Sequence, residues 1–435
     1  MSATTPRSEA PAARAPRWLR YRRQWRARSR PLRLALRALM VATLFVASLV
    51  PLVLVLFDEL SPADQAALAA AAARARTAPV VGETYVAVER WYAENVVPVQ
   101  ELRPLAPLPS RWEGRWVDSD KNYAAFERWF ADHLGLRNLM IRSKNELDYQ
   151  LFRSSRRVYY GANGELYGRN MADHELPRTE IELTTPAKRD AALRGVRRLA
   201  AELKEAGVTL VLMTPIAKQY FTRERLPFFA PRVGDDSHFL DLYARMKDVP
   251  ELHFIDIRQM MLERQGKLPI FYRQDFHWTD LMAMEVASAT VERIARLEGS
   301  AVRWRHPLRP VMATFLGVEE RFAARLNAAD RQSEAMPATT WTAVHRRQTL
   351  AEADGYEFET DSLPGPAMLP PACMYGNSFS DGMLRAGLDE HFEKFTKLSR
   401  HHDVRTIVPL VRGRCKYLIV QLLDIQANAW AGFAQ

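Results

Sequence analysis

Between residues 185 and 213 the spacing of apolar positions changes period, and the change predicts a helix followed by a buried strand. Thr185-Pro186 supplies an N-cap and a first-turn proline. Ala192, Leu193, Val196, Leu199, Ala200 and Leu203 then fall on one stripe of a 3.6-residue helix, which Gly207 ends. Residues 208–213 form a nearly continuous apolar run, as expected of a strand covered on both faces of a parallel sheet. Thr214-Pro215-Ile216-Ala217-Lys218 leaves the C-terminal end of that strand, where open α/β sheets bind ligands.

The same grammar recurs along the chain. Tyr123, Phe126, Trp129, Phe130 and Leu134 have helical spacing, and a second helix is expected over 138–152. Residues 156–160 and 165–167 read as short strands reversed through Gly161-Ala162-Asn163-Gly164. Residues 253–256, 372–375, 406–411 and 416–423 are further strand candidates, and Thr279 caps a helix reaching Leu297. Residues 300–365 show no clear period; Trp341, Tyr356 and Phe358 suggest short strands between loops. Helices alternating with buried strands predict one α/β domain over residues 111–435.

Residues 38–57 break this pattern with twenty residues that carry no charge. A helix of that length spans about 30 Å, the thickness of a bilayer core. Residues 1–37 contain eleven arginines and a single acid, Glu9, whereas residues 58–73 contain no Arg or Lys. This asymmetry predicts a cytoplasmic tail (1–37), a transmembrane anchor (38–57) and a body outside. The long basic leader and the length of the run fit an uncleaved anchor better than a signal peptide, whose apolar core spans about 7–15 residues. Residues 58–110 read as a connector, with a helix opened by Ser61-Pro62 and prolines at 98, 104, 107 and 109. The tail accounts for the formal net charge of +10 and leaves the body neutral, so no nucleic-acid partner is expected.

Cys373 and Cys415 are the two cysteines. In an exported body they can form one disulfide, or each can serve as a small buried hydrophobe. No CxxC or His-rich spacing points to zinc.

The candidate chemistry lies in Asp275-Phe276-His277-Trp278 and Gly376-Asn377-Ser378-Phe379-Ser380-Asp381. Asp and His at i and i+2 share one side of an extended chain, so the carboxylate can reach His277 Nδ1 and leave Nε2 for a serine. Ser378 lies between a strand and a helix N-terminus, which exposes its hydroxyl near free main-chain N–H groups. By itself Ser378 or Ser380 would read as a helix cap; the Asp-x-His in the same domain favours a nucleophile. Asp275 and His277 lack a third ligand at metal-binding spacing. Lys218 and Tyr220 follow a strand end and are candidates for substrate contact or ordinary loop residues, and Asn377 adjoins the nucleophile. Trp278, Tyr272 and Tyr375 border the motifs and can stack on sugar rings or pack the core.

Over residues 118–424 these motifs resemble the alginate O-acetyltransferase family of the AlgJ/AlgX type, in the SGNH hydrolase-like group. The resemblance rests on residues 122–137, the 161–167 stretch, Pro215-Ile216-Ala217-Lys218, the Asp-Phe-His-Trp motif and residues 376–382. It implies an SGNH-type α/β/α sandwich with a mostly parallel sheet and an Asp275–His277–Ser378 triad that carries an acetyl group to an exopolysaccharide. Asn377 departs from the Asp that SGNH proteins often carry before the serine. The resemblance also implies no tightly bound cofactor, an acetyl donor supplied by a membrane-bound O-acyltransferase partner, and a periplasmic domain held at the inner membrane. The chain ends soon after the sheet, which is similar to the module-free AlgJ layout. An acetyl esterase with the same triad, or a non-catalytic scaffold of a polysaccharide export complex, are the alternatives.

Overall fold

In a computed structural model the chain is described over residues 120–134, 137–232, 234, 236–307, 310–326, 332–337, 344–350, 357–362 and 367–435, with a few isolated positions before residue 109. It divides into units of residues 1–140 and 141–435. The expected anchor at 38–57 and the connector lie outside the described residues apart from those isolated positions. No helix among the described residues is long and apolar enough to cross a membrane.

In the first unit, helix α1 (Asp120–His133) buries Trp129 and stacks it beside Phe126 and His133, while Tyr123 points to solvent. Helix α2 is Arg137–Phe152; within the second unit its Arg142 and Asn145 donate to the carbonyls of Arg325 and Ala323. A hairpin of β1 (Val158–Tyr160) and β2 (Leu166–Gly168) follows, antiparallel as the turn residues predict. Helix α3 (Leu176–Glu182) precedes α4 (Pro186–Glu205), whose N-cap Thr185 accepts from the Lys188 amide and whose buried stripe contains the residues expected for it. Gly207 reverses the chain at φ +75° into β3 (Thr209–Met213).

Ser237, Asp256 and Thr279 cap the helices α5 (His238–Lys247), α6 (Ile257–Arg264) and α7 (Asp280–Glu298). Strand β4 (Pro310–Phe315) leads to the short helix α8 (Val318–Ala323) and pairs with β5 (Gln332–Pro337) in a separate two-stranded antiparallel sheet. Strands β6 (Val344–Leu350), β7 (Glu357–Ser362) and β8 (Ala372–Tyr375), helix α9 (Ser378–Arg385), strands β9 (Phe395–Leu398) and β10 (Tyr417–Gln421), and helix α10 (Ala427–Phe433) complete the unit.

The main sheet has the order β3-β10-β8-β9-β7-β6. Its first four strands are parallel, and β7 and β6 extend it antiparallel, so the sheet is mixed. Alternate residues of the parallel strands feed two cores. Val211, Met213, Met374, Phe395 and Ile419 pack under α7 and α9; Leu210, Leu212, Cys373, Leu398 and Leu418 pack under α4 and α5. Covering both faces explains why these strands read as continuous apolar runs.

Several expectations are corrected. Residues 406–411 form no strand: Pro409 removes a ladder donor, and residues Val408–Val411 make a helical turn. The place in the sheet belongs to β9, whose Thr396 and Lys397 hid it in the sequence. At 253–256 there is one bridge, Ile255 to Met213. Trp341 and Tyr356 lie outside the described residues, whereas Phe358 sits on β7. Cys373 and Cys415 form a disulfide, with Cα atoms 5.8 Å apart, tying β8 to the chain entering β10.

Candidate active site

Two loops at the C-terminal end of the parallel strands meet. One precedes α7 and carries Asp275 and His277; the other joins β8 to α9 and carries Ser378. His277 Nε2 lies 2.8 Å from Ser378 Oγ, and His277 Nδ1 lies 2.6 Å from Asp275 Oδ1. Asp275 is buried, whereas His277 and Ser378 are half-buried and reachable.

The carboxylate is held on both oxygens. Oδ1 also accepts the His277 amide at 2.8 Å, and Oδ2 accepts the Val318 amide, at the start of α8, at 2.8 Å. Burial works to raise the Asp275 pKa, but the bond from the His277 ring and these amides outweigh it and hold the carboxyl below its usual range. An ionised Asp275 can only accept, so Nδ1 carries the proton and Nε2 is left to accept from the serine hydroxyl. Phe276 and Phe379 flank the imidazole, with centroids 4.0 and 4.7 Å from it, and restrict its rotation.

The serine loop is fixed just as firmly. A Cβ at Gly376 would stand 2.9 Å from Ser380 and 3.0 Å from Gln421 Oε1, so glycine is required there. Asn377 caps α9: its Oδ1 accepts the Phe379 amide at 3.0 Å and its Nδ2 donates to Gln426 at 3.1 Å. Ser380 is buried, with Oγ donating to the Asn377 carbonyl, which leaves Ser378 as the reachable hydroxyl. Among the described residues the Ser378 amide, in the first turn of α9, donates to no acceptor.

The substrate-contact candidates are placed differently from the expectation. Lys218 is not on the surface. Its ammonium is buried beneath the Asp275 loop, paired with Glu165 and donating to the carbonyls of Tyr272 and Arg273 at 2.8 Å. Burial pushes its pKa down against the pull of Glu165. Tyr220 directs its hydroxyl to Glu180 and Ser237. Trp278 is core, its Nε1 donating to the Phe379 carbonyl at 3.0 Å. Tyr272 and Tyr375 are buried too, and Asn377 adjoins the serine as a cap. These side chains hold the loops; an apolar setting with a satisfied polar tip is a packing signature.

Sequence reasoning passed over α8. A Cβ on Gly317 would lie 1.8 Å from the Gln274 carbonyl, so only glycine lets α8 dock against the Asp275 loop. Glu319, in its first turn, is buried near Asp275; burial first and that carboxylate second push its pKa well up, with Lys218 opposing. The available signal was a glycine followed by the acidic turn Glu319-Glu320.

The family described as SGNH hydrolase-like domain, acetyltransferase AlgX, matches residues 176–405, a segment that holds both loops. No curated protein matches the chain. Solved structures similar to it include the O-acetyltransferase domain of Pseudomonas putida AlgJ (14% identity, 62% of this chain and 92% of that one, TM-score 0.40). Bacillus cereus PatB1 is another (13%, 55% and 90%, 0.43), as is Pseudomonas aeruginosa AlgX (16%, 64% and 65%, 0.33). With more than half its length matched and the α/β sandwich in place, the chain belongs to the family of the SGNH hydrolase-like AlgX acetyltransferase domain.

Proposed function

We propose that the protein is a membrane-anchored O-acetyltransferase that passes an acetyl group through Ser378 to hydroxyls of an exopolysaccharide. The observation that carries this reading is the continuous chain Asp275–His277–Ser378, at 2.6 and 2.8 Å, opening to solvent at the serine. Family membership supports acetyl transfer as the chemistry.

Ser378 Oγ attacks the carbonyl carbon of an acetyl donor while His277 Nε2 takes its proton. His277 returns that proton to the departing donor oxygen, leaving acetyl-Ser378. It then takes a proton from a sugar hydroxyl, whose oxygen attacks the acyl-enzyme, and reprotonates Ser378. Asp275 keeps Nδ1 protonated and offsets the imidazolium charge in each half. The Ser378 amide is positioned to donate to the oxyanion.

The arginine-rich tail and the uncharged run at 38–57 support an inner-membrane anchor with the domain in the periplasm. There, a membrane-bound O-acyltransferase partner would supply the acetyl group, and no cofactor is needed for the steps above. Purified full-length protein in detergent, given an acetyl ester with and without oligosaccharide, tests the reading. Acetylated oligosaccharide is expected. Acetate release indifferent to sugar would make the protein an esterase, and the absence of both products would refute the assignment.

A further inference from the structure

Resting on the acyl-enzyme reading above, we propose that Lys397 is a positioning residue. Its buried ammonium fixes the peptide plane that presents Ser378 to His277.

Lys397 lies on β9 beside β8, in parallel register with Met374, one residue before both strands end. It is 2% exposed, in a strand whose other three residues are also buried. Lysine is rarely buried so completely, because removing an ammonium from water costs several kcal/mol. Packing alone would be met by an apolar side chain. The ammonium instead reaches past the end of the β8 ladder and donates to the Gly376 carbonyl at 2.7 Å, and to the Leu398 carbonyl at 2.9 Å.

The opposite edge of the same peptide plane is held too: the Asn377 amide donates to Gln421 Oε1 at 3.2 Å. Gln421 is fully buried at the end of β10, on the other side of β8. The Gly376–Asn377 plane is thus clamped at its oxygen from β9 and at its hydrogen from β10. The next carbonyl, of Asn377, is taken by the Ser380 amide at 2.9 Å and by its hydroxyl. Of the amides from Asn377 to Ser380, only that of Ser378 lacks an acceptor among the described residues. Two strands therefore set the direction of the serine before any substrate binds, which is where rate is gained by alignment.

Burial pushes the Lys397 pKa down to about 8, with Asp381 and Glu357 pulling it up and Arg400 pushing it down. Such a cost is retained where a buried polar group serves alignment rather than stability.

The test is Lys397→Met in the full-length protein, with acetate release from an acetyl ester, sulfonyl-fluoride labelling of Ser378 and thermal unfolding measured side by side. The expected result is a folded variant whose kcat and labelling rate each fall by about 10- to 100-fold, with KM within about twofold, because the serine is misaligned while the donor site is untouched. Hydrogen exchange of the peptide containing Asn377 and Ser378 should quicken. If Lys397→Met does not fold, Lys397→Leu, which likewise carries no donor for the Gly376 carbonyl, is read by the same criteria. Wild-type kcat and labelling in a folded variant would overturn the proposal. A wild-type protein that neither labels nor turns over would sink the acyl-enzyme reading instead.

Discussion

The Val318 amide donates to Oδ2 of Asp275 at 2.8 Å, while His277 occupies Oδ1 with both its amide and its ring. The carboxylate is therefore locked by its own loop and by a residue 43 positions further along the chain, and the imidazole is oriented by a group that cannot itself turn.

That locking ranks the triad variants. Ser378→Ala and His277→Ala are each expected to lower kcat by roughly 10³-fold or more, because each removes a group that forms or breaks a bond to the acetyl or its proton. Asp275→Ala should leave a small residual rate above both, since the ring retains its packing between Phe276 and Phe379. Steady-state acetate release from an acetyl ester measures all three. Equal activity in wild type and Ser378→Ala would remove the serine from the mechanism.

Glu319 and Asp275 give opposite pH signatures. Glu319 is raised in the folded state, first by burial and then by Asp275, so its contribution to stability is complete below the unfolded value of about 4.3 and declines as pH rises toward the folded one. Asp275 is held low by its hydrogen bonds against burial, so its contribution is present above the unfolded value of about 3.9 and is lost on acidification. Glu319→Gln should flatten the decline in stability that urea unfolding reads as pH rises above the unfolded value. An unchanged slope would mean that Glu319 is already ionised.

The disulfide closes a 42-residue separation that contains α9 and β9. Removing it by Cys373→Ala with Cys415→Ala should cost about 2–4 kcal/mol, mainly by freeing the unfolded chain. Thermal unfolding of this double variant against wild type reads the loss, and coincident midpoints would show that the bridge adds nothing.

Much of this arrangement was legible in the residues. The α4 stripe, the β3 run and the caps at Thr185 and Thr279 rest on local rules, and α4, β3 and α7 form where periodicity and capping place them. The meeting of Asp275, His277 and Ser378 could be expected because the i, i+2 spacing and the strand-to-helix turn each constrain direction. What escaped reading depends on burial of charge. Lys218, Glu319 and Lys397 look like surface residues in a one-dimensional pattern, yet all three are almost fully buried around the loops. Lys218 reaches Glu165 and the Tyr272 and Arg273 carbonyls, Lys397 reaches the Gly376 carbonyl, and Glu319 lies near Asp275, all distant in sequence, and no local period encodes those relations. Strand β9 was missed for the same reason, with Lys397 at its centre.

Covalent labelling tests the central claim most directly. Treated with a serine-reactive sulfonyl fluoride and mapped by mass spectrometry, the protein should carry one adduct on Ser378, and His277→Ala should lose it. An adduct on Ser380, or undiminished labelling without the histidine, would contradict a hydroxyl activated through the 2.8 Å contact.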